Sequence, residues 1–265
     1  MSSIVKQVKG TATRAPAVKA ESSRLPGTTS GNDFPRPYTT VDVVIFTVLD
    51  DALQVLLVQR PSESEDPHPA AWALPGGFVN IDLDADLLGC ARRKLHEKTG
   101  VASPYLEQLG SWGSATRDPR GWSATHAYFA LIPSEGVVLV KGANAANVAW
   151  FEVDLLRKGP KLAFDHADIL HAAVERLRGK VEYTSLPAFL LPEPFTLPQL
   201  QHTYEVVLGR PVDKSGFRTR MMSADFLEEA GIVETASRRP PMAYRLKDRS
   251  QPVYFPRTFS PRGAG

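Results

Sequence analysis

LPGGFVNIDLDADLLGCARRKLHEKTGV, residues 74–101, reads as a glycine turn, an aspartate-rich loop and an amphipathic helix in one run. Pro75, Gly76 and Gly77 are punctuation that turns a chain. Asp82, Asp84 and Asp86 stand just before the helix, where carboxylates suit N-capping. Leu88, Ala91 and Leu95 recur at three- and four-residue steps, and Gly100 marks the stop. Arg92, Arg93, Lys94, His96 and Lys98 lie toward the end of the helix whose dipole favours cations. Lys94 and Lys98 stand one turn apart on one face, beside Arg93.

Outward from this run the chain keeps a mixed α/β pattern. VDVVIFTV (41–48) and LQVLLVQR (53–60) flank the polar break Asp50–Asp51, as a hairpin should. LEQLGSWG, THAYFALIP and NVAWFEV read as further strands. LAFDHADILHAAVERLRGK (162–180) reads as a helix with Ile169, Leu170, Ala173 and Leu177 on one face and Gly179 as its stop. TSLPAFLLPEPF (184–195) carries three prolines and reads as a connection between domains. Beyond it, TLPQLQHTYEVVLG, KSGFRTRMMSA and DFLEEAGIV read as three helices, with short strands after them around 237–241 and at MAYRL. That succession is a winged helix-turn-helix. The expected limits are a disordered basic tail (1–36), an α/β domain (37–188), a winged helix-turn-helix (189–249) and a loose proline-rich tail (250–265).

Composition narrows the function classes. The apolar fraction of 43% is that of a globular protein, and 31 basic against 29 acidic residues demand no polyanionic partner, so any basic surface must be local. Cys90 is the single cysteine, which forbids an intramolecular disulfide and fits a cytoplasmic setting; set between Gly89 and Ala91 it reads as a small core residue. No apolar run approaches a bilayer span, so no membrane partner is expected. Lys6, Lys9, Arg14, Lys19 and Arg24 lie among small polar residues that cannot bury enough surface to order themselves. A transit peptide and a DNA-touching arm share that composition. His166 and His171 read as polar packing residues of a helix.

Residues 74–101 resemble the Nudix box: Pro75, Gly76, Gly77, Arg93, Leu95, Glu97, Gly100 and Val101 fall where that family has them, with two extra residues in the loop. The resemblance implies an α/β/α sandwich with a mixed sheet, in which box carboxylates hold Mg²⁺ on a substrate pyrophosphate. Here Ala85, Lys94 and Lys98 stand at carboxylate positions and Glu97 alone remains. Ammonium groups repel a divalent cation, so hydrolysis should be lost and no Mg²⁺ is expected; the lysines would instead cradle phosphates without metal. RDPRGW (117–122) resembles a loop of Nudix proteins that act on ADP-ribose. The expected effector site is Arg60, Gly76, Gly77, Phe78, Arg93, Lys94, Glu97, Lys98, Arg117, Arg120 and Trp122, with arginines for phosphate and an indole for a base.

The C-terminal stretch resembles the winged helix of the Nudix-related transcriptional regulators of NAD metabolism, and together with the box the resemblance covers nearly all of 37–247. Residues 193–265 hold eleven basic against eight acidic residues, the excess falling on the second helix and the wing. Thr196 and Asp213 are expected as helix caps. The expected DNA contacts are Thr196, Lys214, Ser215, Arg218, Arg220, Arg238, Arg239 and Tyr244. The resemblance implies a homodimeric repressor of NAD synthesis or salvage genes that binds double-stranded operator DNA and senses ADP-ribose or a related nucleotide. The alternatives are an ADP-ribose pyrophosphatase with an atypical metal site around Asp82, Asp84 and Asp86, and a scaffold that binds protein or RNA.

Overall fold

The computed structural model describes residues 36–62, 65–101, 105–135, 137, 139–140, 145–233 and 240–256. The expected basic tail before Arg36, the wing residues Arg238 and Arg239, and the chain beyond Pro256 lie outside the described residues. In chain order the strands are β1 (Tyr38–Leu49), β2 (Ala52–Gln59), β3 (Trp72–Ala73), β4 (Gly76–Phe78), β5 (Tyr105–Ser114), β6 (Ser123–Leu131) and β7 (Asn147–Glu152). Helix α1 (Leu87–Thr99) separates β4 from β5, and α2 (His166–Val181) comes after β7.

The expected hairpin of β1 and β2 forms, with Leu49 opposite Ala52. Asp50 and Asp51 take left-handed φ values of 51° and 57°, the conformation of a two-residue turn whose twist matches its strands. β1 also pairs in parallel with β6 and antiparallel with β4, while β3 and β7 pair with β2 and β5 with β6. Among the described residues this is a seven-stranded mixed sheet.

Side chains alternate across a strand, so β1 serves two layers at once. Val41, Val43 and Ile45 pack with Cys90, Ala91 and Leu95 of α1. Val44 and Phe46 face the other way, into the core that holds Ile169, Leu170, Ala173 and Leu177 of α2. The expected α/β/α sandwich is therefore present. Cys90 is fully buried, and burial pushes its thiol up to about 11, as suits a small core residue.

The C-terminal part departs from the sequence reading in four places. Gly179 does not stop α2, which runs on to Val181. The proline-bearing stretch is no exposed connection: Leu186–Leu190 form a buried 3₁₀ turn, and the expected boundary at 188 falls inside it. The same apolar core continues through that turn into β8 (Phe195–Thr196), α3 (Leu197–Leu208) and α4 (Lys214–Ser223). DFLEEAGIV is not a helix but contains β9 (Leu227–Ile232), which pairs with β10 (Met242–Leu246), itself paired with β8. Its Leu, Glu and Ala favour a helix in isolation, but β10 supplies backbone partners along the segment, and Gly231 at φ 99° lies outside helical space.

The fourth departure is the tail. Its first residues are pinned: the Val253 amide donates to Ser185 Oγ (2.9 Å) and the Phe255 amide to the Tyr183 carbonyl (2.8 Å). The Phe255 ring is buried beside Phe226, centroid to centroid 5.8 Å. Apolar residues spaced two apart turned a proline-rich end into an edge of the core. Replacing Phe255 with alanine should lower unfolding stability by about 3 kcal/mol in a denaturant titration, as buried phenylalanines do when truncated; an unchanged midpoint would show the strap to be dispensable.

Candidate functional site

A cavity of about 660 Å³ opens where the sheet, α1 and the start of α2 meet, a size suited to a small ligand. Thr40 and Asp42 on β1 and Gly76, Gly77 and Phe78 on β4 line it from the sheet. Lys94, Glu97 and Lys98 approach from α1, Arg117, Asp118 and Arg120 from the loop before β6, and Arg60, Phe164 and His166 from the far side. Nine of the eleven expected effector residues thus meet at one cavity, although they come from distant parts of the chain.

Glycine is required at 76, because a Cβ there would lie 1.9 Å from Asp42 Oδ1. The Lys94 ammonium lies over the neighbouring glycine, 3.2 Å from where a Gly77 Cβ would stand, and 3.8 Å from Glu97 Oε2. Lys98 is held below the usual ammonium range by burial, against the pull of Glu97. Two lysines therefore present positive charge to a glycine-floored recess, an arrangement that attracts phosphate.

The other cations are held in forked ion pairs. Arg60 bonds Asp66 (2.8 and 2.7 Å), Arg120 bonds Asp118 (3.0 and 2.7 Å), and Arg117 bonds Asp165 (2.8 and 2.7 Å). Arg60 lies over the Phe164 ring at 4.9 Å and Arg120 over Phe78 at 5.3 Å. These pairs orient the guanidinium groups without leaving the cavity strongly charged.

Two expected residues stay outside. Arg93 is spent on the loop: it bonds Asp84 through Nε (2.7 Å) and Nη2 (2.6 Å) and Glu97 through Nη1 (2.8 Å). The guanidinium holds the Asp84 carboxyl well below the usual carboxylate range. Asp86 caps α1 by accepting the Gly89 amide at 2.6 Å. Trp122 is 51% exposed and packs on Gly113 rather than in the cavity. The aromatic rings that do line the cavity are Phe78 and Phe164.

The sequence reading missed Asp42, Asp66, Asp118 and Phe164, and it set His166 aside. Asp42 did carry a signal, as a lone charge in an apolar strand. It is 5% exposed and accepts the Thr125 hydroxyl at 2.7 Å. His166 is not a surface packing residue: its Nδ1 accepts the Leu74 amide at 2.9 Å and its Nε2 lies 3.7 Å from Asp42 Oδ2. Burial pushes this imidazole down, so it is neutral, with its proton on Nε2. His171, by contrast, is exposed beside Glu175.

At the other end, the Thr196 hydroxyl accepts the Gln199 amide and Asp213 accepts the Gly216 amide, so both expected caps form. Thr196 is buried and its hydroxyl is occupied by that cap. Tyr244 on β10 is buried as well, at 5% exposed. On α4, Phe217 and Met221 turn to the core while Lys214, Ser215 and Arg218 are exposed. Arg220 leaves on the opposite flank, over the Phe255 ring at 5.3 Å. Arg245, Lys247 and Arg249 are each paired with an acid, whereas Lys214 and Arg218 form no ion pair among the described residues.

Residues 39–173 match the NUDIX domain family, and residues 187–246 match the NrtR DNA-binding winged helix domain. The ADPR responsive transcriptional repressor NtrR of Acinetobacter baylyi is 45% identical over 226 residues, spanning 85% of this chain and 88% of that protein. Shewanella oneidensis NrtR complexed with a 27mer DNA is similar with a TM-score of 0.74 at 42% identity, over 82% of this chain and 97% of that one. The NUDIX domain of Shewanella oneidensis NrtR complexed with ADP ribose is similar with a TM-score of 0.50 at 40% identity, over 56% and 93%. With both domains matched in order and a relative this similar along most of its length, the chain belongs to the NrtR family, in which a NUDIX domain is joined to a DNA-binding winged helix.

Proposed function

We propose that this protein is a homodimeric, cytoplasmic transcriptional repressor of NAD synthesis or salvage genes, whose binding to operator DNA responds to ADP-ribose. The carrying observation is that one chain joins a glycine-floored, lysine-bearing cavity to a capped helix with exposed cations on its outer face. The A. baylyi relative named as an ADPR-responsive repressor supports the pairing of those two activities. A gel-shift titration on the protein's own upstream DNA should give a specific complex that ADP-ribose alters, while a hydrolysis assay with Mg²⁺ or Mn²⁺ gives no turnover. Turnover without a specific shift would make it a hydrolase instead.

In this reading the Nudix domain binds but does not cleave. The residues present do not fit a Mg²⁺ site: Lys94 and Lys98 stand at carboxylate positions, Asp84 is locked by Arg93, and Asp86 is spent on the helix cap. The diphosphate lies instead against the two ammonium groups, the aromatic rings offer faces to the base, and Asp42 and His166 meet hydroxyl groups. Calorimetry in EDTA should therefore show ADP-ribose binding as strong as in Mg²⁺. Changing Lys94 and Lys98 to Glu should weaken it by about 2 kcal/mol or more, the scale of one lost charge-assisted contact. A wild type that binds only after metal is added would overturn the metal-free cradle.

The DNA-reading face is the outer surface of α4. Arg218→Ala should cost about 1–3 kcal/mol of operator affinity if the guanidinium reads a guanine. Arg220→Ala should cost much less, because that guanidinium is engaged over the Phe255 ring. Fluorescence anisotropy on a labelled operator separates the two, and equal losses would place the reading face elsewhere.

A further inference from the structure

Helix α2 reaches from the cavity at one end to the winged helix at the other. Its first residue, His166, accepts the Leu74 amide beside the glycine floor. Near its far end Arg178 Nε donates to the Val207 carbonyl of α3 (3.0 Å), and Glu182, just past the last turn, pairs with Arg210 (2.8 Å). The Tyr204 hydroxyl of α3 donates to the Thr184 carbonyl at 2.7 Å, and the Tyr204 ring meets Phe217 of α4 edge-on at 5.1 Å. Leu177 and Val181 share the core with Leu200 and Val207. A close-packed interior transmits displacement rather than absorbing it, and these contacts form a continuous packed route from the start of α2 to α4.

The start of α2 is held in an unusual way. Asp165 occupies the N-cap position, where a carboxylate ordinarily accepts an amide of the first turn, yet it makes no side-chain cap hydrogen bond. Both of its oxygens are taken by Arg117, whose side chain is 6% exposed and whose remaining Nη1 donates to Ser123 Oγ at 3.3 Å. Arg117 lines the effector cavity. An anionic ligand that claims the Arg117 fork must therefore compete with Asp165, and a nearby diphosphate repels that carboxylate as well. Once displaced, the carboxylate has one open partner in the first turn of α2 among the described residues, the Ala167 amide, because the His166 and Asp168 amides already donate to the Ala163 and Asp165 carbonyls.

We propose that Asp165 is the positioning residue that couples effector to DNA. Engagement of Arg117 by the phosphates of the effector transfers Asp165 from the arginine to the N-terminus of α2, and α2 passes the change to α3 and α4. This coupling rests on the ADP-ribose reading and adds to it a route by which the ligand acts at a distance. The free energy available is the difference in ligand affinity between the two arrangements, so removing the Arg117–Asp165 pair should reduce the effect of ADP-ribose on DNA and of DNA on ADP-ribose alike.

The test uses the full-length protein and its operator. Operator affinity is measured with and without saturating ADP-ribose for wild type, Asp165→Asn and Asp165→Ser, and ADP-ribose affinity is measured separately by calorimetry. Asparagine keeps the shape and loses the charge; serine caps a helix without pairing to arginine. Both variants are expected to bind ADP-ribose at least as tightly as wild type, because Arg117 is released. The change in operator affinity produced by ADP-ribose should fall to within about twofold of none, as reciprocal coupling requires once the shared contact is gone. Either variant binding ADP-ribose but still responding as wild type does would overturn the coupling role alone, and loss of ADP-ribose binding in both would make Asp165 part of the binding site instead. A wild type whose DNA binding ignores ADP-ribose would overturn the functional reading and this coupling together.

Discussion

Strand β1 is covered on both faces, and most of the architecture traces to that constraint. A strand buried on two sides must be apolar at successive positions rather than at alternate ones, as Val43, Val44, Ile45 and Phe46 are. It forces α1 and α2 to opposite sides of the sheet and places β4, β6 and β2 along its edges. A charge in such a strand is tolerated only if it is satisfied. Asp42 meets that condition through the Thr125 hydroxyl, with the His166 imidazole 3.7 Å away and room for the carboxylate because residue 76 has no side chain. The point where the strand accepts a carboxylate is also where the cavity opens.

The helix that in a Nudix hydrolase would supply carboxylates here supplies ammonium groups, without altering the fold around it. Leu95 and Ala91 still face the sheet and Arg93 still ties the helix to its preceding loop. What changes is the sign of the charge over the glycine floor. Metal binding and direct phosphate binding are alternative solutions to the same electrostatic problem, and the proposed function assigns Lys94 and Lys98 to the second.

The DNA-reading part does not hang from a flexible linker. Phe189, Phe195, Leu200 and Tyr204 lie in one apolar cluster with α2, and Phe255 closes its edge. Two parts that share a core bias one another through packing, which is what a sensor joined to a reader requires. The arginine forks of the cavity fit the same picture, since each is already engaged by an aspartate that a ligand phosphate would have to displace.

Local chemistry was legible in the sequence. The Asp50–Asp51 turn, the caps at Thr196 and Asp213 and the apolar faces of α1 and α2 depend on neighbours a few residues away, and each formed as its pattern indicated, whereas the expected glycine turn at 76–77 is strand β4, paired with β1. Nine residues of the cavity could be named, most of them because they fall in the stretches that resemble the Nudix box and its ADP-ribose loop. Partners distant in the chain could not be read in this way. Asp66, Asp118 and Asp165 gain meaning only beside the arginines they bind, and Arg93 and Trp122 turn to Asp84 and Gly113 rather than to the cavity. DFLEEAGIV became a strand, and the last prolines a strap, because β10 and Ser185 offered backbone partners that no local propensity records. Sequence determined what each segment could do by itself; the tertiary structure decided which possibility was realised, because a buried polar group or an unpaired strand is settled by whatever long-range contact satisfies it at least cost.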